Sequence, residues 1–348
     1  MKYLKLFDSH EDYTDFQPDM LKPNVSYCQL EDEVHFNGFR DARIVARFNV
    51  TSTSEPTKIM DADTDPSDVF SSIEIDGVEM ATMDYEYTFG TTGEHIIKYT
   101  LIDTTTVPNK LFFECEDMTN VAFPDTVTKI GNHAFRGAGV ESVNLPQSLT
   151  RIGESSFFGC ANLKRIIIPD SVTLLGSSAF ASCSTLETLV LGNGLTTIPM
   201  MAFSLCLDLT YVKIPDSVTI IRDSAFQGCM SLKKVLIGAN VEEIGDQAFQ
   251  FCSELTCDIV LPSSVTYIGN TAFNVPLGSI TLSSSTPPTL HKKTGAVDAL
   301  TLVFGAAGTG QTPTQTYPIY VPSSSLSNYT SADYWSYYAD ANRIFAAP

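Results

Sequence analysis

Leu149-Thr150-Arg151-Ile152-Gly153-Glu154-Ser155-Ser156-Phe157-Phe158-Gly159-Cys160-Ala161-Asn162-Leu163-Lys164-Arg165-Ile166-Ile167-Ile168-Pro169 decides the fold, because the pattern recurs. Its aromatic anchor returns as Phe135, Phe157, Phe180, Phe203, Phe226, Phe249 and Phe273, at steps of 22, 23, 23, 23, 23 and 24 residues. Five residues before each Phe stands an aliphatic: Ile130, Ile152, Leu175, Ile198, Ile221, Ile244 and Ile268. Leu163, Leu186, Leu209, Leu232 and Leu255 follow their Phe by six. The consensus reads V-T-x-I-G-x-x-A-F-x-x-C-x-x-L-x-x-I-x-I-P.

A period of about 20–29 residues containing L-x-x-L-x-L marks a leucine-rich-repeat solenoid. One unit cannot bury its apolar side alone, whereas stacked units share a continuous core and each adds a short parallel strand. About seven units of 23 residues are expected, and ~5 Å per strand gives a sheet of roughly 30–35 Å. Proline after the strand (Pro146, Pro169, Pro215, Pro262) cannot donate to a ladder and turns the chain. Ala-Phe then supplies one small and one large residue to the opposite wall.

Cys160, Cys183, Cys206, Cys229 and Cys252 also recur every 23 residues. Disulfide frameworks are not spaced so evenly, and no C-x-x-C pair points to zinc. A buried thiol once per unit packs as a small hydrophobe and can donate to a loop carbonyl in the turn. The pattern decays at both ends, where Ala138 and Pro276 replace the cysteine. Residues 283–348 then read as a degenerate repeat, a long Gly/Thr/Ser-rich loop to Thr316, and a cap. The cap comprises a strand at Tyr317–Pro322 and a helix from Ser323 to Arg343, with Leu326, Tyr329, Trp335, Tyr338 and Ile344 turned inward.

Residues 1–105 lack the repeat. Ser9–Phe16 reads as a short helix. Strands are expected at Asn24–Cys28, Val34–Phe36, Ile44–Val50 and Glu86–Phe89, and most clearly at Gly93–Leu101. Short strands at close spacing predict a β-sandwich-like module, with the solenoid over 106–282.

The repeat motif V-T-x-I-G-x-x-A-F-x-x-C-x-x-L over residues 121–282 resembles the BspA-like leucine-rich-repeat family of bacterial surface proteins. The P-P-T-L and I-Y-V-P segments before a Tyr/Trp-bearing helix are similar to that family's C-terminal cap. The resemblance implies a secreted or surface-displayed binding protein, associated with adhesion to host matrix proteins, and supplies no catalytic residues. It differs in its start. Met1–Asp8 shows neither a lipoprotein cysteine nor the roughly 7–15 apolar residues of a signal peptide.

The formal net charge is −19, and it is uneven: residues 1–105 hold 21 Asp/Glu against 8 Lys/Arg. Such a surface repels phosphate backbones, so nucleic acid is excluded as the expected partner. No run reaches the roughly 18 apolar residues of a membrane span. Asp61, Asp63, Asp65 and Asp68 imitate the start of a calcium loop, but Pro66 and Ser72 stand where such a loop needs Gly and Glu. A solvated acidic loop is the reading, with no metal and no cofactor expected. The histidines 10, 35, 95, 133 and 291 are scattered, and none sits in a catalytic motif.

The concave strand face carries the binding expectation. Strand side chains alternate, so the second and fourth positions after the repeat leucine point outward. Ile167, Val190, Leu236 and Val260 then form an apolar stripe beside Arg165, Tyr211, Lys213 and Lys234. Exposed apolar strips flanked by charge mark interfaces, although β-branched residues also simply suit strands. The expected function is non-catalytic binding or adhesion, to a protein or glycan of host origin, outside the cell or on its surface. The alternative is a structural surface or virion component that docks through the N-terminal module.

Overall fold

The computed structural model describes residues 43–61, 65–290, 317–332, 335 and 343–347. The expected helix at Ser9–Phe16, the strands at 24–28 and 34–36, and the loop at 291–316 lie outside them. So does Tyr338.

The repeats wind as a solenoid with two strand-bearing walls. The L-x-x-I-x-I segments form one wall, as Ser142–Asn144, Arg165–Ile167, Thr188–Val190, Tyr211–Lys213 and Lys234–Leu236 lie parallel in one sheet. The V-T-x-I segments form the opposite wall from two-residue strands, which the sequence reading did not anticipate. This wall is a four-stranded sheet from Thr106–Val107 to Leu174–Leu175 and a five-stranded sheet from Thr197–Ile198 to Thr289–Leu290.

Between the walls the anchor phenylalanines stack. Consecutive rings from Phe135 to Phe273 lie 4.9–5.7 Å apart and within 12° of parallel, and all are fully buried. The spacing is set by the strand separation of about 4.8 Å, so each ring meets its copy in the next turn. Each cysteine thiol donates to the Phe carbonyl one turn back: Cys160 to Phe135 (3.0 Å), Cys183 to Phe157 (3.2 Å), Cys206 to Phe180 (3.3 Å), Cys229 to Phe203 and Cys252 to Phe226 (both 3.2 Å). Burial pushes the thiols of Cys160, Cys183, Cys206 and Cys252 up, Cys183 to about 12, so these four stay protonated donors.

One further turn precedes the seven counted from sequence. Val107, Phe112, Cys115 and Met118 hold the consensus places, and the Phe112 ring lies 5.1 Å from Phe135. Its strand Met118–Ala122 pairs in parallel with Ser142–Asn144.

Glycine in V-T-x-I-G is required by close approach. A Cβ on Gly176 would lie 2.3 Å from the Glu154 nitrogen and 2.5 Å from the Gly153 carbon, both backbone. Its N–H donates to Ile152 at 2.8 Å, as Gly245 donates to Ile221 at 2.7 Å. Pro199 occupies the same place one turn later and has no N–H to donate to Leu175. The second wall is interrupted there, between Leu174–Leu175 and Thr197–Ile198. The first wall is interrupted elsewhere. The 24-residue step inserts one residue near Cys257, and Asp258–Leu261 opens a separate four-stranded sheet with Ser279–Leu282, Ile319–Val321 and Ile344–Ala346.

Residues 44–101 take a form other than two closed sheets. Ile44–Val50 pairs antiparallel with Met118–Ala122 on one side and Gly93–Leu101 on the other, followed by Phe70–Ile75 and Val78–Glu79. The first wall is thereby one ten-stranded sheet. The core is shared as well: Tyr99 packs edge-on against Phe112 at 5.2 Å, and its hydroxyl donates to Ile59.

At the C-terminus the expected helix begins as a 3-10 turn at Ser323–Ser325 and an α-helix at Leu326–Ser331, Trp335 is helical as well, and residues 333–334 and 336–342 lie outside the described residues. Ile344 belongs to the strand Ile344–Ala346, because Ile319–Val321 presents it a free parallel edge. Tyr329 and Trp335 are buried; the Tyr329 hydroxyl donates to Ser284 and the Trp335 indole to Pro288, closing the last turn.

His95 locks the N-terminal sheet. Its Nδ1 lies 2.6 Å from the Asp76 carboxylate and its Nε2 2.9 Å from the Thr91 carbonyl. Both partners are acceptors, so the imidazolium fits best. Burial lowers its pKa, but Asp76 and Thr91 outweigh this and hold it above the usual 6.5. A pKa raised on folding gives stability that is fully present below pH 6.5 and is lost as pH rises through the folded value. The melting temperature is therefore expected to fall as pH rises from 6 through that value. A His95→Gln variant should show a flatter profile over the same range; an identical slope in both proteins counts against this role.

Candidate functional site

The solvent side of the ten-stranded sheet is organised in rows that cross the strands. Registered partners place Arg47, Asn120, Ser142, Arg165, Thr188, Tyr211 and Lys234 side by side. Two residues further along the solenoid strands lie Asn144, Ile167, Val190, Lys213 and Leu236. The intervening Val143, Ile166, Leu189, Val212 and Val235 are buried in the core. Period-two alternation thus sets both rows outward.

Of the eight residues expected to form a site, seven share this surface. Ile167 and Leu236 are each 41% exposed, and Lys234 is exposed. Arg165, Val190, Tyr211 and Lys213 are half-buried. Val260 is 59% exposed but belongs to the separate sheet beyond the insertion. The apolar stripe is also interrupted, since Lys213 stands between Val190 and Leu236. Arg165 buries its Nε without a hydrogen-bond partner.

The acidic loop is used locally. Asp65 caps the helix Pro66–Val69 by accepting from the Ser67 nitrogen (2.9 Å) and hydroxyl (2.7 Å), and Asp61 pairs with Lys58 at 2.8 Å. Asp63 lies outside the described residues. Among the described residues, no three His, Cys, Asp or Glu side chains are placed to hold a metal ion. A cleft of about 580 Å³ beside Asp68, Leu101, Asp103 and Lys110 has no Ser, Cys or His in its lining.

A second exposed apolar group was not read from the sequence: Met200, Met201, Leu205, Met230 and Phe251, at 41–58% exposure on the tight-turn side. A signal existed. Leu205 (φ 60°) and Phe251 (φ 64°) occupy a left-handed position that Gly159 and Gly228 fill in other turns. Bulky side chains there cost on the order of 1–3 kcal/mol.

The family model for the BspA type leucine rich repeat region matches in six copies over residues 105–233 and 175–288, more than half of the chain. The chain belongs to the BspA-type leucine-rich-repeat family. Solved structures resembling this BspA-type protein include a leucine-rich repeat protein from Bacteroides ovatus ATCC 8483, at 27% identity over 59% of this chain and 57% of that one, with a TM-score of 0.44. A leucine rich cell surface protein from Faecalibacterium prausnitzii A2-165 is 24% identical over 44% of this chain and 56% of that one, with a TM-score of 0.33. A T. pallidum leucine rich repeat protein is 25% identical over 48% of this chain and 79% of that one, with a TM-score of 0.36. The match spans little more than half of the first two solved chains. No curated protein matches the chain. No helix among the described residues is long and apolar enough to cross a membrane.

Proposed function

We propose that this BspA-type chain is a non-catalytic adhesion or binding protein, placed outside the cell or on its surface. Its solvent-facing long sheet engages a protein or glycan of host origin. The observation that carries this reading is the pair of rows on the sheet. Ile167 and Leu236 stand 41% exposed on rigid strands, beside Arg165, Tyr211 and Lys234. Apolar anchors next to Tyr and Arg are the composition of interface centres. Rigid strands also hold them without ordering cost on binding. The family membership supports the same placement.

The test is binding of the full chain, and of an Ile167→Asp/Leu236→Asp variant, to an array of host matrix proteins and glycans. Both positions are exposed, so the variant should fold. The partner found by the parent is expected to bind the variant at least ~10-fold more weakly, the equivalent of about 1.4 kcal/mol. Equal binding by the folded variant, or no partner on the array, would sink the assignment to this surface. The structural-component reading has less support. Among the described residues, Ile44–Val50, Gly93–Leu101 and Phe70–Ile75 extend the solenoid's first edge, and the ten-stranded sheet ends there at the two-residue strand Val78–Glu79.

A further inference from the structure

We infer that the long sheet selects a protein segment that carries carboxylates among apolar side chains. The inference rests on the sheet-face reading above and adds the chemistry of the partner.

The chain has a net charge of −19. Yet the outward positions of its sheet from Ser142 to Leu236 hold Arg165, Lys213 and Lys234 and not one carboxylate. The same sheet treats its other cations differently. Among the N-terminal strands Arg47 pairs with Glu94, Lys98 with Glu74 at 3.0 Å, and Arg43 with Glu74 at 2.9 Å. Among the described residues, no ion pair forms to Arg165, Lys213 or Lys234. A protein with nearly twice as many acids as bases has left three cations unneutralised on one strip. Arg165 is the sharpest case, because its guanidinium is half-buried and its Nε has no acceptor.

Burying such cations under a partner requires counter-charge from that partner, since a covered, unpaired charge opposes binding. The partner is therefore anionic where it meets Arg165, Lys213 and Lys234. The acidic remainder of the molecule repels it elsewhere, which confines docking to the strip. Ile167, Val190 and Leu236 decide between anionic classes. A sulfated glycan would satisfy the cations but leave these side chains in contact with polar groups. A protein segment supplies carboxylates and apolar side chains together, with Tyr211 able to contact either.

The experiment measures binding of the full chain to three probes: a random copolymer of Glu, Ala and Tyr, poly-Glu, and heparin. Two variants are run in parallel, Lys213→Glu/Lys234→Glu and Ile167→Ser/Leu236→Ser, each checked for an unchanged melting temperature. The copolymer is expected to bind, with poly-Glu and heparin each at least ten-fold weaker. Either double variant should weaken copolymer binding at least ten-fold. Failure of the copolymer to bind, heparin binding more tightly than the copolymer, or copolymer binding unaffected by charge reversal each overturns the inference. A matrix partner lost by Ile167→Asp/Leu236→Asp but retained by Lys213→Glu/Lys234→Glu overturns the partner chemistry and leaves the sheet-face reading standing.

Discussion

Phe203→Ala is expected to destabilise the protein by about 3–5 kcal/mol, the range for emptying a fully buried aromatic site. The ring lies 5.7 Å from Phe180 and 5.4 Å from Phe226, near-parallel to both, at the middle of the stack. Neither neighbour can collapse into the space, because each is pinned by its own turn. The Phe203 carbonyl also accepts the Cys229 thiol, so a shift there disturbs the cysteine column. Solenoid stability is roughly a sum of turn and nearest-neighbour terms. Removing a central ring weakens two interfaces at once. Urea unfolding followed by circular dichroism reads the loss. A change below about 1 kcal/mol would mean that the stack merely fills space that other side chains can fill.

The second large effect follows from the shared edge. Deleting residues 1–105 removes the strand Ile44–Val50 from Met118–Ala122. It also uncovers a core that includes Leu111, Phe112 and Met118. Full exposure of a large apolar side chain costs about 1.5–3 kcal/mol, so up to about 5–9 kcal/mol of stabilisation is at risk in the first turn. An open strand edge over apolar side chains is also a template for association. The truncated chain is expected to aggregate, or to lose its first turn with a lowered melting temperature. Size-exclusion chromatography and calorimetry decide this. A monodisperse fragment melting like the full chain would show that the first turn needs no cover.

The repeat was legible because its physics is local and periodic. Phe, Cys and Leu each recur in a fixed place, and one buried column of each type follows from stacking. The first turn escaped because Leu111 stands in place of alanine, Pro108 in place of glycine and Met118 in place of leucine. Each is a tolerable substitute at a solenoid end, and together they blur the match. The second wall escaped for a different reason: two-residue strands such as Arg151–Ile152 are too short to show alternation. In the N-terminal region the strands Ile44–Val50 and Gly93–Leu101 could be read from alternation, but their destination could not. Arg47 pairs with Asn120 across more than seventy intervening residues, and a single sequence holds no signal for that pairing. The surface rows were legible from period two alone. What alternation could not convey was which cations are neutralised, since the pairs Arg47–Glu94 and Lys98–Glu74 depend on register between distant strands.

The two interruptions in the walls fall at different places. Between the turns of Leu175 and Ile198 the second wall is broken while Thr188 still pairs with Tyr211. Between the turns of Ile221 and Ile244 the reverse holds, with Ile220 and Ile221 paired to Glu243 and Ile244 and the first wall broken. A rod so built has two joints that open on opposite sides. Pulled lengthwise, each joint can flex toward its intact ladder, but among the described residues no cross-section of the solenoid lacks a hydrogen-bonded strand pair. Tension at either joint pulls along the hydrogen bonds of the one intact wall, shared with the turn-side bonds such as Phe180 to Ala202 and Phe226 to Ala248 and with the continuous phenylalanine column, so each joint yields by bending before it parts.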